Sequence, residues 1–472
     1  MTDLPQLFST SDRGVVVAPA GCGKTQLIAE SVSLASSGRA LILTHTHAGI
    51  HALRSRLGKL KVDPDRYRVE TIAGWALRYS IAFPMRSGVA DGQPRENHEW
   101  SAIYTGAAKL LDISAIRRVV ERSYVSLYVD EYQDCILEQH ALILRLAEIL
   151  PCRVVGDPLQ GIFDFGGQHI VDWPTDVYDS FELLGKLHQP WRWKKENVDL
   201  GNWTVAIHDI LENGGEIDLR NAPIEWRKKE RVEQRAACTA ALRQRNSSIV
   251  AIHNVKQVCH SWARSMPGFS SDEEMESEHL FTTAKEFDQN TGTDLAAAVI
   301  EFATTCMTQV SSELRTFRLA LDAGRVPIAK SNSKHEKVKE PLRAVVQGND
   351  PAALANALHH IDNMSGCRVY KPEVWREMRR AAKTYAEGQT DSYEEAVWQV
   401  RNRTRRLGKR PPRALVSRTH LIKGLEFHHA VMLDAESLNT KNFYVAATRA
   451  SRSLTICSNE PVLSFPAPYT TR

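Results

Sequence analysis

The chain has 472 residues, 43% apolar and 25% charged, with a formal net charge of +4. That length allows two to four domains, and the composition is that of a soluble folded protein able to bury a large core without disulfide or metal staples. Eight scattered cysteines with no C-x-x-C pair speak against a zinc site or a secreted disulfide framework, and no apolar run reaches the length of a membrane span.

The first predicted strand is the apolar run Val15 to Val17. It leads into "APAGCGKT" (Ala18 to Thr25) and then a predicted helix, "QLIAESVSLA". Glycines at 21 and 23 permit tight turns, so the backbone amides of Ala20, Gly21, Cys22 and Gly23 are free to face phosphate oxygens. The following helix adds its N-terminal partial charge. Lys24 can reach the β- and γ-phosphates, and Thr25 can ligate Mg²⁺. The usual first glycine of this pattern is Ala18 here. Further strands are predicted at Ala40 to Leu43, Val125 to Val129 and Arg153 to Val155, with amphipathic segments between them. That alternation predicts an α/β class with a parallel sheet covered by helices.

"SLYVDEYQDC" carries Asp130 and Glu131 to the carboxyl edge of that sheet, where doubly wound folds place ligands. Asp130 suits a Mg²⁺ shell and Glu131 suits polarising an attacking water. "CRVVGDPLQG" ends in Gly156 and Asp157 with Gln160 just beyond, an amide able to sense a γ-phosphate because it both donates and accepts. Phosphoryl transfer also needs outside cations. Arg192 in "HQPWRW" and Arg449 in "YVAATRA" qualify, although each taken alone reads first as a surface ion-pair residue. A second α/β pattern is split: "SSIVAIHN" before, and "ALVSRTH", "HAVMLD" and "SLTICS" after, a helix-like stretch over 266–410. The run Ala396 to Ile422 holds eight basic residues and no acid, from Arg401 to Arg418; it reads equally as a solvated face or as a phosphate contact.

Taken in order, "APAGCGKT", "LILTHTHAGIHALRSRL", "VETIAGWALRYS", "LYVDEYQD", "VVGDPLQGIFDF", "LHQPWRW", "RTHLIKGLEF" and "FYVAATRA" resemble the motifs of superfamily 1 helicases of the UvrD/Rep type. The resemblance covers both α/β halves. It implies two RecA-like P-loop domains with helical accessory insertions: 1–185 for the first, with a reduced insertion near 80–125; 186–265 and 411–472 for the second; and 266–410 as the accessory insertion. It implies ATP and Mg²⁺ as cofactors, Asp130 and Glu131 as metal ligand and base, Gln160 as γ-phosphate coupler, and Arg192 and Arg449 as arginine fingers. Gly424 and Glu426 would lie at the nucleotide edge of the second domain. On the DNA side, Phe163 and Phe165, two apart, read either as single-strand stacking aromatics or as core. Thr44, Thr46 and His420 suit backbone phosphates, His420 equally an ordinary polar residue.

The chain departs from the family at several points. Gln6 is the only glutamine near the expected adenine motif, Gly166 stands where an arginine follows the aromatic pair, and "SLNTKNF" replaces the usual charges before the last motif. The first insertion is about half the family's length. The family resemblance implies an ATP-driven 3′→5′ DNA helicase or translocase, and because compact UvrD-like proteins of this size occur beside an OLD-type nuclease in Gabija-type anti-phage systems, a role in anti-phage defence is expected. The alternative is a DNA-stimulated ATPase that senses DNA for such a partner nuclease. A cytoplasmic location, without membrane contact, is expected.

Overall fold

The computed structural model describes residues 3–35, 38–89, 97–163, 169–244, 246–271, 278–329, 334–348, 350–407 and 412–469. The chain divides into two compact units, Met1–Glu230 with Ala435–Arg472, and Arg231–Asp434. It carries two six-stranded sheets with flanking helices, the expected class of two RecA-like parallel-sheet folds with helical accessory segments.

The first unit begins α1 (Leu4–Thr10), β1 (Arg13–Val17), α2 (Lys24–Leu34), β2 (Ala40–Thr44), α3 (His47–Lys59) and β3 (Tyr67–Thr71). Four helices follow: α4 (Ile72–Ala82), α5 (Pro84–Ser87), α6 (Asn97–Leu110) and α7 (Ser114–Ser123). Then come β4 (Ser126–Val129), α8 (Leu137–Ala147), β5 (Cys152–Gly156), α9 (Tyr178–Ser180), β6 (Glu182–Lys186), α10 (Val198–Asn213), β7 (Gly215–Asp218) and β8 (Glu225–Lys228). The sheet order is β3-β2-β4-β5-β1-β6, every pairing parallel. All the strands therefore end on one edge, where the loops after β1, β4 and β5 meet.

Side chains alternate across this sheet with the period of two that a strand imposes. Val15, Val17, Leu41, Leu43, Leu127, Val129, Cys152 and Val154 face a core completed by α4, α6, α7 and α8. Val16, Ile42, Val69, Tyr128 and Val155 face the other way, onto α1, α2 and α3. Because both faces are covered, Val15–Val17 of β1, Ala40–Leu43 of β2, Leu127–Val129 of β4 and Val154–Val155 of β5 are apolar runs. Each fully buried Val, Leu or Ile contributes about 1.5–3 kcal/mol.

The second unit contains α11 (Arg231–Arg243), β9 (Ile249–Ile252), α12 (Lys256–Ser265) and β10 (Ser270–Ser271). A helical body follows: α13 (Glu278–Gln289), α14 (Gly292–Cys306), β11 (Met307–Thr308), α15 (Val310–Glu313), α16 (Arg315–Asp322), α17 (Glu336–Gln347), α18 (Pro351–Asp362), β12 (Arg368–Val369), α19 (Pro372–Ala386) and α20 (Tyr393–Leu407). The body has its own core, in which Phe302 stacks on Trp375. The unit closes with β13 (Ala414–Ser417), α21 (Thr419–Ile422) and β14 (Phe427–Met432); its strands run β10-β13-β9-β14, all parallel. The chain then returns to the first unit as α22 (Thr440–Ala447), β15 (Ala450–Ser458), parallel to β8, and β16 (Val462–Phe465), antiparallel to β7. Among the described residues no helix is long and apolar enough to cross a membrane.

Candidate nucleotide-binding site

The loop from Ala18 to Gly23 joins β1 to α2. Gly21 and Gly23 take φ of 72° and 97°, values that favour glycine. Gly23 is the N-cap of α2 and has no side chain, so the first-turn amides meet no capping oxygen of its own. An uncapped helix start of this kind is a ready anion site. Lys24 is buried, and its Nζ donates to the Ala18 carbonyl at 3.3 Å, which folds the side chain back over the loop. Thr25 sits half-buried on the same turn.

Asp130 and Glu131 follow β4. The Asp130 amide bonds Leu43 of β2 at 2.9 Å, and its Oδ1 accepts the Glu131 amide at 3.0 Å. Glu131 adopts φ 57°, a left-handed value that costs a non-glycine residue roughly 1–2 kcal/mol. Its Oε2 lies 3.6 Å from Lys24 Nζ. Burial pulls the Lys24 ammonium towards neutrality, but Glu131, Asp157 and Asp130 together hold it charged and raise its pKa. Burial, then the Glu131 charge, push Asp130 up to about 7 against the pull of Lys24. A carboxylate so short of positive charge is a hard oxygen ligand of the kind that fits Mg²⁺.

Asp157, after β5, is fully buried. Burial would raise its pKa, yet His208, Lys24 and the Gln160 amide lower it to about 2. Gln160 Nε2 donates to Asp157 Oδ2 at 2.7 Å. Burial and the Asp157 charge push the Cys22 thiol up to about 12, which leaves it a neutral packing group.

Arg192 also reaches this loop. Its amide donates to Gly21 O at 3.3 Å, and its Nη1 donates to Thr448 O at 2.8 Å. A Cβ on Gly21 would stand 2.7 Å from the Trp193 ring and 2.9 Å from Arg192 Cβ, so only glycine lets the two segments approach. Arg449 is buried; its Nε donates to Val445 O and an Nη to Thr448 Oγ1, each at 2.8 Å. The Ala20 amide donates at 3.0 Å to Tyr444 Oη, from α22.

The residues expected to meet DNA are more dispersed. Thr44 is buried at the end of β2, and a Cβ on Gly49 would stand 2.5 Å from its hydroxyl. Thr46 caps α3, its side chain accepting the Gly49 amide at 3.0 Å. Phe163 is 39% exposed and borders a cavity of about 240 Å³ with Trp100, Tyr104 and Asp134. Phe165 lies outside the described residues. In the second unit, Gly424 (φ 80°) and Glu426 are exposed and His420 is half-buried on α21.

No family model matches the sequence, and no curated protein matches it. Among solved structures, similar ones include arterivirus nonstructural protein 10, described as a helicase, alone and in complex with DNA. Each is 11% identical with a TM-score of 0.34; the match covers 96% of this chain and 61% and 62% of theirs. The chain thus spans less than two thirds of those proteins' length.

Three further residues belong to the site although the sequence does not single them out. Gln133 links the carboxylates: its Nε2 donates to Glu131 Oε2 at 2.6 Å and its Oε1 accepts the Asp157 amide at 2.9 Å. Its signal is its place inside "VDEYQD". Tyr444 stands likewise inside "FYVAATRA". His208, whose Nε2 lies 3.0 Å from Asp157 Oδ1, has no signal, because it is separated by 51 positions from its partner.

Proposed function

We propose that the chain is an ATP-hydrolysing motor acting on single-stranded DNA, of the superfamily 1 UvrD/Rep-like kind. The observation that carries this reading is the meeting of Lys24, Asp130, Glu131, Asp157 and Arg192 around one glycine-rich loop at the carboxyl edge of the first sheet. The Ala20 and Cys22 amides, expected at phosphate, donate instead to Tyr444 and Pro19, so the amides of Gly21 and Gly23 with Lys24 bind the β- and γ-phosphates. Thr25 and Asp130 would hold Mg²⁺, which when bound supplies charge neutralisation on the phosphates. Glu131, oriented by Gln133, takes the proton of the attacking water, and Arg192 and Arg449 stabilise the charge that develops. Gln160 reports the γ-phosphate, and Phe163 stacks on unpaired bases. The 3′→5′ polarity, a role in anti-phage defence and a cytoplasmic location belong to the same reading by resemblance.

One observation favours a second reading. The first insertion, near 80–125, holds α5 to α7, between Pro84 and Ser123. A motor whose first insertion is so short suits a DNA-stimulated ATPase that senses DNA for an OLD-type nuclease. Two assays on the purified chain decide. Single-stranded DNA should stimulate ATP hydrolysis, and Glu131→Gln should lower it about 10²–10⁴-fold while ATP still binds. Equal hydrolysis by both proteins would defeat the enzyme reading. Displacement of a strand from a 3′-tailed duplex separates motor from sensor.

A further inference from the structure

Among the buried polar groups around the loop, His208 is held at both ring nitrogens. It lies on α10 and is fully enclosed. Its Nδ1 is 2.9 Å from Lys186 Nζ, at the end of β6, and its Nε2 is 3.0 Å from Asp157 Oδ1. An ammonium has donors only, so Nδ1 must accept; Nε2 then carries the hydrogen and donates to Asp157. Lys186 also bonds Asp209 and, at 2.9 Å, Glu212. The ammonium thus bonds all three of His208, Asp209 and Glu212, the group whose spacing would otherwise suit a metal ion.

Asp157 is the pivot of this network. His208 and the Leu159 amide (3.1 Å) bind Oδ1, and Gln160 binds Oδ2. Turning that carboxylate turns the Gln160 amide with it. The Asp157 amide grips Gln133, and Gln133 grips Glu131. On its flank the His208 ring meets Tyr444 edge-on, 5.1 Å between centroids at 85°, and Tyr444 holds the Ala20 amide.

We propose that His208 is a positioning residue for nucleotide turnover. Held in one tautomer by Lys186, it fixes the Asp157 carboxylate and, through it, the Gln160 amide, at the residue whose main-chain amide holds the Gln133–Glu131 pair. The inference rests on the ATP-hydrolysis reading of the site.

Two substitutions separate positioning from packing. His208→Phe keeps a ring against Tyr444 but removes both hydrogen bonds. His208→Gln keeps an acceptor for Lys186 and a donor for Asp157. At saturating single-stranded DNA, the Phe variant should lose about 10–100-fold in kcat while the KM for ATP moves less than about 3-fold, the mark of an interaction realised in the transition state. The Gln variant should recover most of that loss. Wild-type kcat in the Phe variant, or equal losses in both, would overturn the inference. If the Phe variant fails to fold, Lys186→Met serves instead: it frees Nδ1 from the half-buried side, and should lower kcat with KM unmoved. Wild-type kcat in Lys186→Met would then be decisive against it. A wild-type chain that does not hydrolyse ATP at all defeats the enzyme reading itself, a result distinct from any of these.

Discussion

Asp130 and Asp157 end neighbouring strands, are both buried, and shift in opposite directions. The difference lies in their partners. Asp157 has His208, Lys24 and an amide donor, and falls to about 2. Asp130 has burial and the Glu131 charge against it, with Lys24 too little to compensate, and rises to about 7. An acid raised from 3.8 to about 7 disfavours folding progressively as pH climbs between those values, and the penalty is complete above the higher one. Asp130→Asn should therefore raise the Tm of the nucleotide-free protein by several degrees at pH 8, with the gain shrinking as pH falls towards 4, while hydrolysis is lost. Thermal unfolding across pH tests this; a Tm difference that does not vary with pH would contradict it. At this scale the sequence displays residues whose chemistry is declared by a motif, such as Lys24 and Glu131. It hides His208, because a buried histidine in "VDLGNWTVAIHDILEN" looks like any polar position on a helix.

Among the elements, legibility follows burial. The strands β1, β2, β4 and β5 are interior, and although Arg13 and Arg153 lie in β1 and β5, each carries a short apolar run that announces it. The strands β3 ("YRVET") and β6 ("ELLGK") are the sheet's edges, partly exposed, and carry charges that break any apolar run. Neither stands out as a strand in the sequence, yet β6 delivers Lys186. Caps tell a similar story. Thr46, expected at a backbone phosphate, has its side chain occupied at the start of α3. Thr46→Ala should cost about 0.5–2 kcal/mol in chemical denaturation. Because α3 lies off the phosphate loop, the KM for ATP should stay unchanged; a raised KM would mean that the cap also shapes the loop.

For the whole molecule, the net charge of +4 conceals unlike uses of one basic run. Arg401 is buried against Glu377 at 3.0 Å, with side-chain exposures of 7% and 6%, and so serves the helical body's core. Arg403 is exposed and, with Arg380 and Lys383, lines a groove of about 440 Å³ between α19 and α20. Arg401→Met should destabilise the body by about 3–5 kcal/mol, since it strands a buried carboxylate. Reversing Arg380 and Arg403 together should leave stability within about 1 kcal/mol, weaken DNA binding at low salt and flatten its salt dependence. Unfolding curves and DNA titrations at two salt concentrations measure both, and unaltered DNA affinity in the double reversal would remove the groove from the DNA path.

The bond from the Ala20 amide to Tyr444 Oη joins residues 424 positions apart. Translation is vectorial, so a ribosome-bound chain that has emerged only as far as β14 possesses every residue of the phosphate loop but none of α22, which braces it. Closing so long a separation also comes late in folding. The loop from Ala18 to Gly23 therefore gains this brace only after α22 has left the exit tunnel.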